Sequence, residues 1–271
     1  MWNEIYIVGN VSQDTVYYEG ILRHKFWGGG GLNVALSAAY NGFTPHLVSV
    51  VGSDSNNLLK SIQPYLDISN IKIIDGNSCC FEIFYSSSGE LIDLSSKFGV
   101  ANSLENHFNS LNLIPSHYHI CCRSPLESGK IIEKLVKNNL QFSLDFISSS
   151  ISDQIRKTRD WLSDAFCVFM NSREYNIVMN EIDTNVISLL VVTSGSKPIR
   201  IFKKGNCILE FPCSEENFLD VTGAGDVFCG SFLCNYLSNS NIISSTEKAI
   251  RDSKKSLGEF GVWGLFNESN N

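Results

Sequence analysis

Two carboxylates bracket a corner of small residues at Asp220-Val221-Thr222-Gly223-Ala224-Gly225-Asp226, and the run that follows, as far as Leu237, is apolar and of helix length. Gly223, Ala224 and Gly225 are small enough for their backbone N–H groups to approach an anion closely. The helix they open would add the positive end of its dipole. Asp226, in the first turn of that helix, would reach whatever the loop holds and could accept a proton from a hydroxyl attacking phosphorus. A Gly-Ala-Gly corner alone just as often merely turns the chain. The flanking carboxylates make this one a candidate for phosphoryl chemistry.

Further candidates lie upstream. Asp14 follows a strand at Glu4 to Val8 and the pair Gly9-Asn10, so it stands where open α/β sheets bind ligands and could accept hydrogen bonds from two neighbouring sugar hydroxyls. Taken alone it is an ordinary loop aspartate. Four glycines at 28 to 31 let backbone pass close to a ligand, and Asn33, on the first turn of the helix they lead into, offers both a donor and an acceptor. A glycine run by itself is more often a flexible turn. Asn171 and Glu174, three apart at a strand end, fit either a ligand contact or a plain helix cap. Thr193 and Gly195, after the apolar strand near Val191, are by themselves a turn.

In this order the motifs resemble those of the ribokinase-like (PfkB) family of carbohydrate and nucleoside kinases. DVTGAGD is similar to the family's DTTGAGD signature with Val221 in place of a threonine, GNVSQD to its N-terminal motif, the glycine run with Asn33 to GGxGxN, and Asn171 with Glu174 to NxxE. The resemblance implies ATP-dependent phosphorylation of a hydroxyl on a small sugar or sugar-like molecule. It makes Asp226 the catalytic base and Gly223 to Gly225 the anion hole. Asp14, Gly28, Gly29 and Asn33 become substrate contacts, and Asn171, Glu174, Thr193 and Gly195 face the nucleotide and its Mg2+. Asp220 and Thr222 match positions that hold a monovalent cation, K+, in many members. A homodimer through the lid is part of the same expectation.

Gly30 stands where many relatives carry lysine, and the missing charge disfavours a phosphorylated sugar, leaving a neutral hydroxylated substrate. A nucleoside kinase and a non-catalytic sugar or nucleotide sensor with the same fold are the alternatives. Short features such as Leu144 to Phe146 and the compact C-terminus also resemble the shorter members, among them fructoselysine kinase. An amine-bearing substrate of that kind would want an acid near the lid, for which Glu82 and Asp93 are available.

The elements that must position these residues are legible without the resemblance. From Pro45 onward, apolar runs of strand length alternate with helical patterns, the signature of a mostly parallel sheet with helices on both faces. Two hairpins, the first turning at Glu19-Gly20 and the second at Ser86 to Gly89, interrupt this alternation. In ribokinase-like proteins such insertions, here about residues 10–27 and 76–98, form a small β-sheet lid over a single α/β domain, which would cover residues 1–271. The last helix, about Ser245 to Phe260, is heavily charged and reads as a solvated surface helix.

Composition sets the outer bounds. The chain of 271 residues, 43% of them hydrophobic, can bury one substantial core. A net charge of −7 argues against nucleic acid or an anionic membrane as a partner. No apolar run approaches membrane-spanning length, and the start, MWNEIYIVGN, is unlike a signal peptide, so a soluble, cytoplasmic protein is expected. Nine cysteines, an odd number without a Cys-x-x-Cys, suit neither a disulfide framework nor a zinc site and read mostly as small buried hydrophobes. The five histidines show no metal-ligand spacing and are given no chemical role.

Overall fold

The computed structural model describes residues 3–214 and 217–266. Among these, the strands β1 (Glu4–Val8), β4 (Thr44–Gly52), β5 (Ile71–Ile74), β8 (His117–Cys122), β9 (Gln141–Phe146), β10 (Val168–Asn171), β11 (Leu190–Thr193), β12 (Ile199–Lys203) and β13 (Asn206–Phe211) form one sheet. Its order is β13-β12-β11-β10-β9-β8-β1-β4-β5. The strands from β5 to β11 in that row are parallel, and the β12–β13 hairpin adds an antiparallel edge. Strands β2 (Ser12–Tyr18), β3 (Ile21–Gly28), β6 (Cys79–Tyr85) and β7 (Leu91–Lys97) make a separate four-stranded sheet ordered β3-β2-β6-β7. These are the two expected hairpins. Glu19 and Gly20 both take positive φ, as the tightest hairpin turns require.

Helices α1 (Gly30–Tyr40), α2 (Asn56–Ile62), α7 (Ala224–Asn239) and α8 (Ile242–Ser256) lie on one side of the large sheet. On the other are α3 (Leu104–Ser110), α4 (Ser128–Lys137), α5 (Ile151–Thr158) and α6 (Ser172–Val178). Strand side chains alternate between faces, and the core divides accordingly. Ile5, Ile7, Phe169 and Val191 pack with α1 and α7, whereas Val8, Ile120, Met170 and Val192 pack toward α3 to α6. Because both faces are covered, the central strands need no polar side, which is why they read as continuous apolar runs.

Helix α7 is apolar nearly all round because α1, α8 and the sheet enclose it. Helix α8 begins earlier than the sequence suggested, at Ile242, because the Asn241 side chain accepts a hydrogen bond from Ser244 N and caps it there. It is not simply a solvated helix. Ser245, Thr246, Ala249, Asp252 and Ser256 form a buried face, where Asp252 is held by Lys248 and accepts from Ser231 Oγ on α7 at 2.6 Å.

No helix among the described residues is long and apolar enough to cross a membrane. All nine cysteines are free, and six of them are buried, while Cys207 is exposed and Cys80 and Cys213 lie between.

Phe232 is fully buried at the centre of α7, in contact with the rings of Phe169, Phe228 and Tyr236. Phe232→Ala would remove those contacts and leave a cavity, lowering unfolding free energy by about 3–5 kcal/mol. Denaturant unfolding would show this as a lower midpoint at unchanged slope.

Candidate active site

The C-terminal ends of the central strands meet the start of α1 and α7 along one edge of the large sheet, where an open α/β fold offers its ligand crevice. Gly9 and Asn10 follow β1, Arg123 follows β8, Asp145 is the penultimate residue of β9, and Asn171 and Thr193 end β10 and β11. Between this edge and the small sheet lies a cleft of about 590 Å3. Asp14, Gly29, Asn33, Asn171, Glu174, Thr193, Thr222, Gly223, Gly225 and Asp226 all line it, although they come from widely separated stretches of sequence.

The loop before α7 turns into the helix at Gly223, whose φ of 80° is left-handed, a conformation that favours glycine. A side chain at Gly225 would meet nothing within 4 Å, so the backbone there is open to the cleft. Asp226 points into it from the first helical turn. Asn33 Nδ2 donates to its Oδ2 at 2.8 Å, and Arg123 Nη2 donates to its Oδ1 at 2.5 Å. The same Nη2 donates to Asp145 Oδ2, also at 2.5 Å. One guanidinium thus joins two carboxylates. Burial works against the charge on Arg123, but Asp145 and Asp226 more than offset it and hold the group firmly protonated. Burial likewise pushes the Asp145 carboxyl up, yet Arg123 and His119 prevail and keep it well below the usual carboxylate range.

Asp14, on β2, accepts from Ser12 Oγ at 2.7 Å and is nearly inaccessible. Burial, helped by repulsion from Asp226, pushes its carboxyl up to about 7. Glu174 closes a reciprocal cap on α6. It accepts from Asn171 N at 2.7 Å and from Asn171 Nδ2 at 2.6 Å, while Glu174 N donates to Asn171 Oδ1 at 2.9 Å. Ser148 Oγ adds a further hydrogen bond at 2.9 Å, and burial raises the Glu174 carboxyl to about 7. The helix cap and the cleft-lining position therefore coexist.

The remaining candidates stand just behind the cleft surface. Gly28 backs onto Asp14, since a methyl there would collide with Asp14 Oδ2. The Ala224 carbonyl accepts from Ser253 Oγ at 2.9 Å. Gly195 makes a left-handed turn past the end of β11. Asp220 is buried beneath Thr222. Its Oδ1 accepts from Tyr18 Oη, Thr222 N and Thr222 Oγ1, and its Oδ2 from Gly261 N.

Three sequence expectations need correction. The positive charge taken as missing at Gly30 is present, supplied by Arg123 from the end of β8, and a side chain at Gly30 would overlap its guanidinium. The available signals were an arginine directly after the strand run His117 to Cys122 and a carboxylate inside another, in Phe142 to Phe146. Second, the histidines are not featureless. His119 Nε2 lies 3.3 Å from Asp145 Oδ1, and ligand atoms of His119, Cys121 and Asp145 fall within 4.8 Å of one another. Arg123 already compensates the Asp145 charge, and of the three residues Asp145 is the one that lines the cleft. Third, Glu82 and Asp93 do not face the cleft. Phe81, Ile83 and Tyr85 of β6 point into it, which by period-two alternation sends Glu82 to the opposite face, and Asp93 pairs with Phe84 on that same outer side.

The raised Asp14 carboxyl has a consequence for stability. The folded state holds a proton there that the unfolded chain, with the ordinary value of 3.8, gives up, so this contribution is full below about pH 4 and is lost as pH rises through about 7. Asp14→Asn has no such proton to lose. Relative to the wild type, its melting temperature would rise by several degrees between pH 4 and pH 7.5, and a constant difference across that range would contradict the assignment.

The chain matches the family model described as pfkB family carbohydrate kinase over residues 4–261. It is 26% identical to the cytidine kinase of Thermococcus kodakarensis, covering 97% of this chain and 99% of that protein. It is 25% identical to the fructosamine kinase of Bacillus subtilis, covering 94% and 92%. Among solved structures it is similar to the nucleoside kinase of Burkholderia thailandensis bound to inosine, with a TM-score of 0.84 at 16% identity over 95% of this chain and 92% of that one. The architecture of one large, mostly parallel sheet with a small separate sheet is shared with ribokinase from Cryptococcus neoformans, at a TM-score of 0.76 and 16% identity over 98% of this chain and 97% of that one. The chain belongs to the pfkB family of carbohydrate kinases, ATP-dependent enzymes that phosphorylate a hydroxyl group of a small sugar or nucleoside.

Proposed function

We propose that this kinase phosphorylates a sugar hydroxyl of a nucleoside or a nucleoside-like molecule. The observation that carries the choice is the mostly apolar wall that β6, β7 and the turn after β7 present to the cleft: Phe81, Ile83, Tyr85, Leu91, Leu94 and Phe98, with Ser96 among them. A bare pentose or ketose is coated in hydroxyls and gains little from such a surface, whereas a nucleobase can stack on aromatic rings while its sugar faces the polar side. Relatives named as cytidine kinase and nucleoside kinase support the same reading.

In this reading Asp14, Asn33 and Gly29 hold the acceptor's hydroxyls. Asp226 takes the proton from the reacting one, and the amides of Gly223 to Gly225 face the transferring phosphoryl group. Asn171, Glu174, Thr193 and Gly195 lie toward the nucleotide, and the small sheet closes over the acceptor as a lid. Asp14, Asp145, Glu174 and Asp226 line the cleft against one guanidinium, so a polyphosphate needs a divalent cation to enter. The buried Glu174 and its partner Asn171 suit Mg2+, which would neutralise phosphate charge there. Asp220, buried with only neutral donors around it, together with Thr222 suits a monovalent cation, K+.

ADP release over a panel of nucleosides and free sugars, compared by kcat/KM, tests the reading. Nucleosides are expected to lead, and ketoses or ribose used as efficiently as any nucleoside would overturn the choice. Asp226→Asn would lower kcat by about 10²- to 10⁴-fold, the range of a general base, with the fold intact by circular dichroism. Phe81→Ala would raise KM for the nucleoside by roughly tenfold, as the loss of one stacking partner implies, while changing KM for ATP little.

A further inference from the structure

Among the described residues, Arg123 is the one cation lining a cleft that also carries four carboxylates, Asp14, Asp145, Glu174 and Asp226. Two of the four share its Nη2. Its Nε is buried without a hydrogen-bond partner, and Asn33 Oδ1 is likewise buried and unpartnered, so the immediate surround of Asp226 keeps unused polar capacity. Gly30, at the start of α1, is so near that a methyl in place of its hydrogen would overlap the guanidinium carbon, Nε and Nη1. The guanidinium is therefore fixed from three directions: by Asp145 on a buried strand, by the bare backbone of Gly30, and by Asp226 itself.

We propose that Arg123 is a positioning residue for phosphoryl transfer, holding the Asp226 carboxylate with Asn33 in the orientation that receives the acceptor's proton, and that position 30 is glycine because the guanidinium occupies its side-chain space. The inference rests on the kinase reading above. In the step concerned, the acceptor oxygen bonds to the γ-phosphorus of ATP. The bond from that phosphorus to the oxygen bridging it to the β-phosphate breaks, its electron pair leaves with ADP, and the hydroxyl proton passes to Asp226.

Asp226 is negative before the step and neutral after it. A cation bound to Asp226 alone would hold that charge back; Asp145 draws on the same Nη2 and compensates the guanidinium before, during and after the transfer. Arg123 can then orient Asp226 without trapping it.

The test uses the full chain, ATP and the acceptor with the highest kcat/KM in the panel. Arg123→Ala removes a charge-assisted hydrogen bond to Asp226, so kcat would fall about 10- to 100-fold. KM for ATP would stay within roughly threefold, since the interaction is not made to the nucleotide. Guanidinium ion at low concentration would restore part of the activity of Arg123→Ala and none to Asp226→Asn. Gly30→Ala alters no charge but takes the guanidinium's space, and would lower kcat in the same direction. Arg123→Lys would keep more activity than Arg123→Ala.

Wild-type kcat in a folded Arg123→Ala, or a loss confined to KM, overturns the proposal. Unimpaired Gly30→Ala overturns it as well, including where Arg123→Ala fails to fold. Turnover of no acceptor by the wild type overturns both this and the kinase reading, while an active wild type with an unimpaired Arg123→Ala overturns this inference alone.

Discussion

Carboxylates crowded at the end of a buried sheet repel one another and resist ionisation, and the arrangement of this cleft follows from how that repulsion is met. Asp145 is held ionised beside one guanidinium that also contacts Asp226, and the guanidinium gains enough from two partners to remain charged out of water. Asp14 and Glu174 have no such contact, and burial lifts both carboxyls to about 7. The same edge thus holds acids of different character, Asp145 kept charged and Asp14 and Glu174 poised near neutrality.

The position of the cleft was legible because the features that create it are local. Gly223 to Gly225 followed by an apolar helix, Asn171 with Glu174 at a strand end, and Asp14 after β1 each carry their meaning within a few residues of backbone. Asn171 ends a parallel strand, and Asp14 on β2 and the loop before α7 meet it along the same cleft. The alternation of strands and helices was equally local, and the fold followed from it.

What stayed hidden was pairwise and distant in sequence. Gly30 was read by itself as a lost charge, but the occupant of its space is Arg123, which only the adjacency of β1, β8 and α1 brings there. Asp145 is one polar residue in an apolar strand, and only the neighbouring β8 sets Arg123 and His119 beside it. The acids of the small sheet were judged by nearness in sequence. Strand parity, which depends on register, then turned Glu82 and Asp93 outward and the aromatic residues inward.

One contact gives the cleft a scale. Tyr18 Oη donates to Asp220 Oδ1 at 3.1 Å and accepts from Val221 N at 3.0 Å, so the far end of β2 is tied to the loop that opens α7. Asp14 lies four residues earlier on the same strand, a span of about 13 Å at the usual rise of an extended chain. Strand β2 is in this sense a ruler, anchored at one end to the loop carrying Asp220, the first carboxylate of DVTGAGD, and bearing Asp14 at a set distance along it. A longer acceptor cannot be accommodated by sliding that strand outward, because the ruler would have to let go of Asp220. In the reading proposed above, extra length would extend past β6 and β7, whose inward residues are mostly apolar and whose hairpin ends in the exposed turn at Ser87 and Ser88.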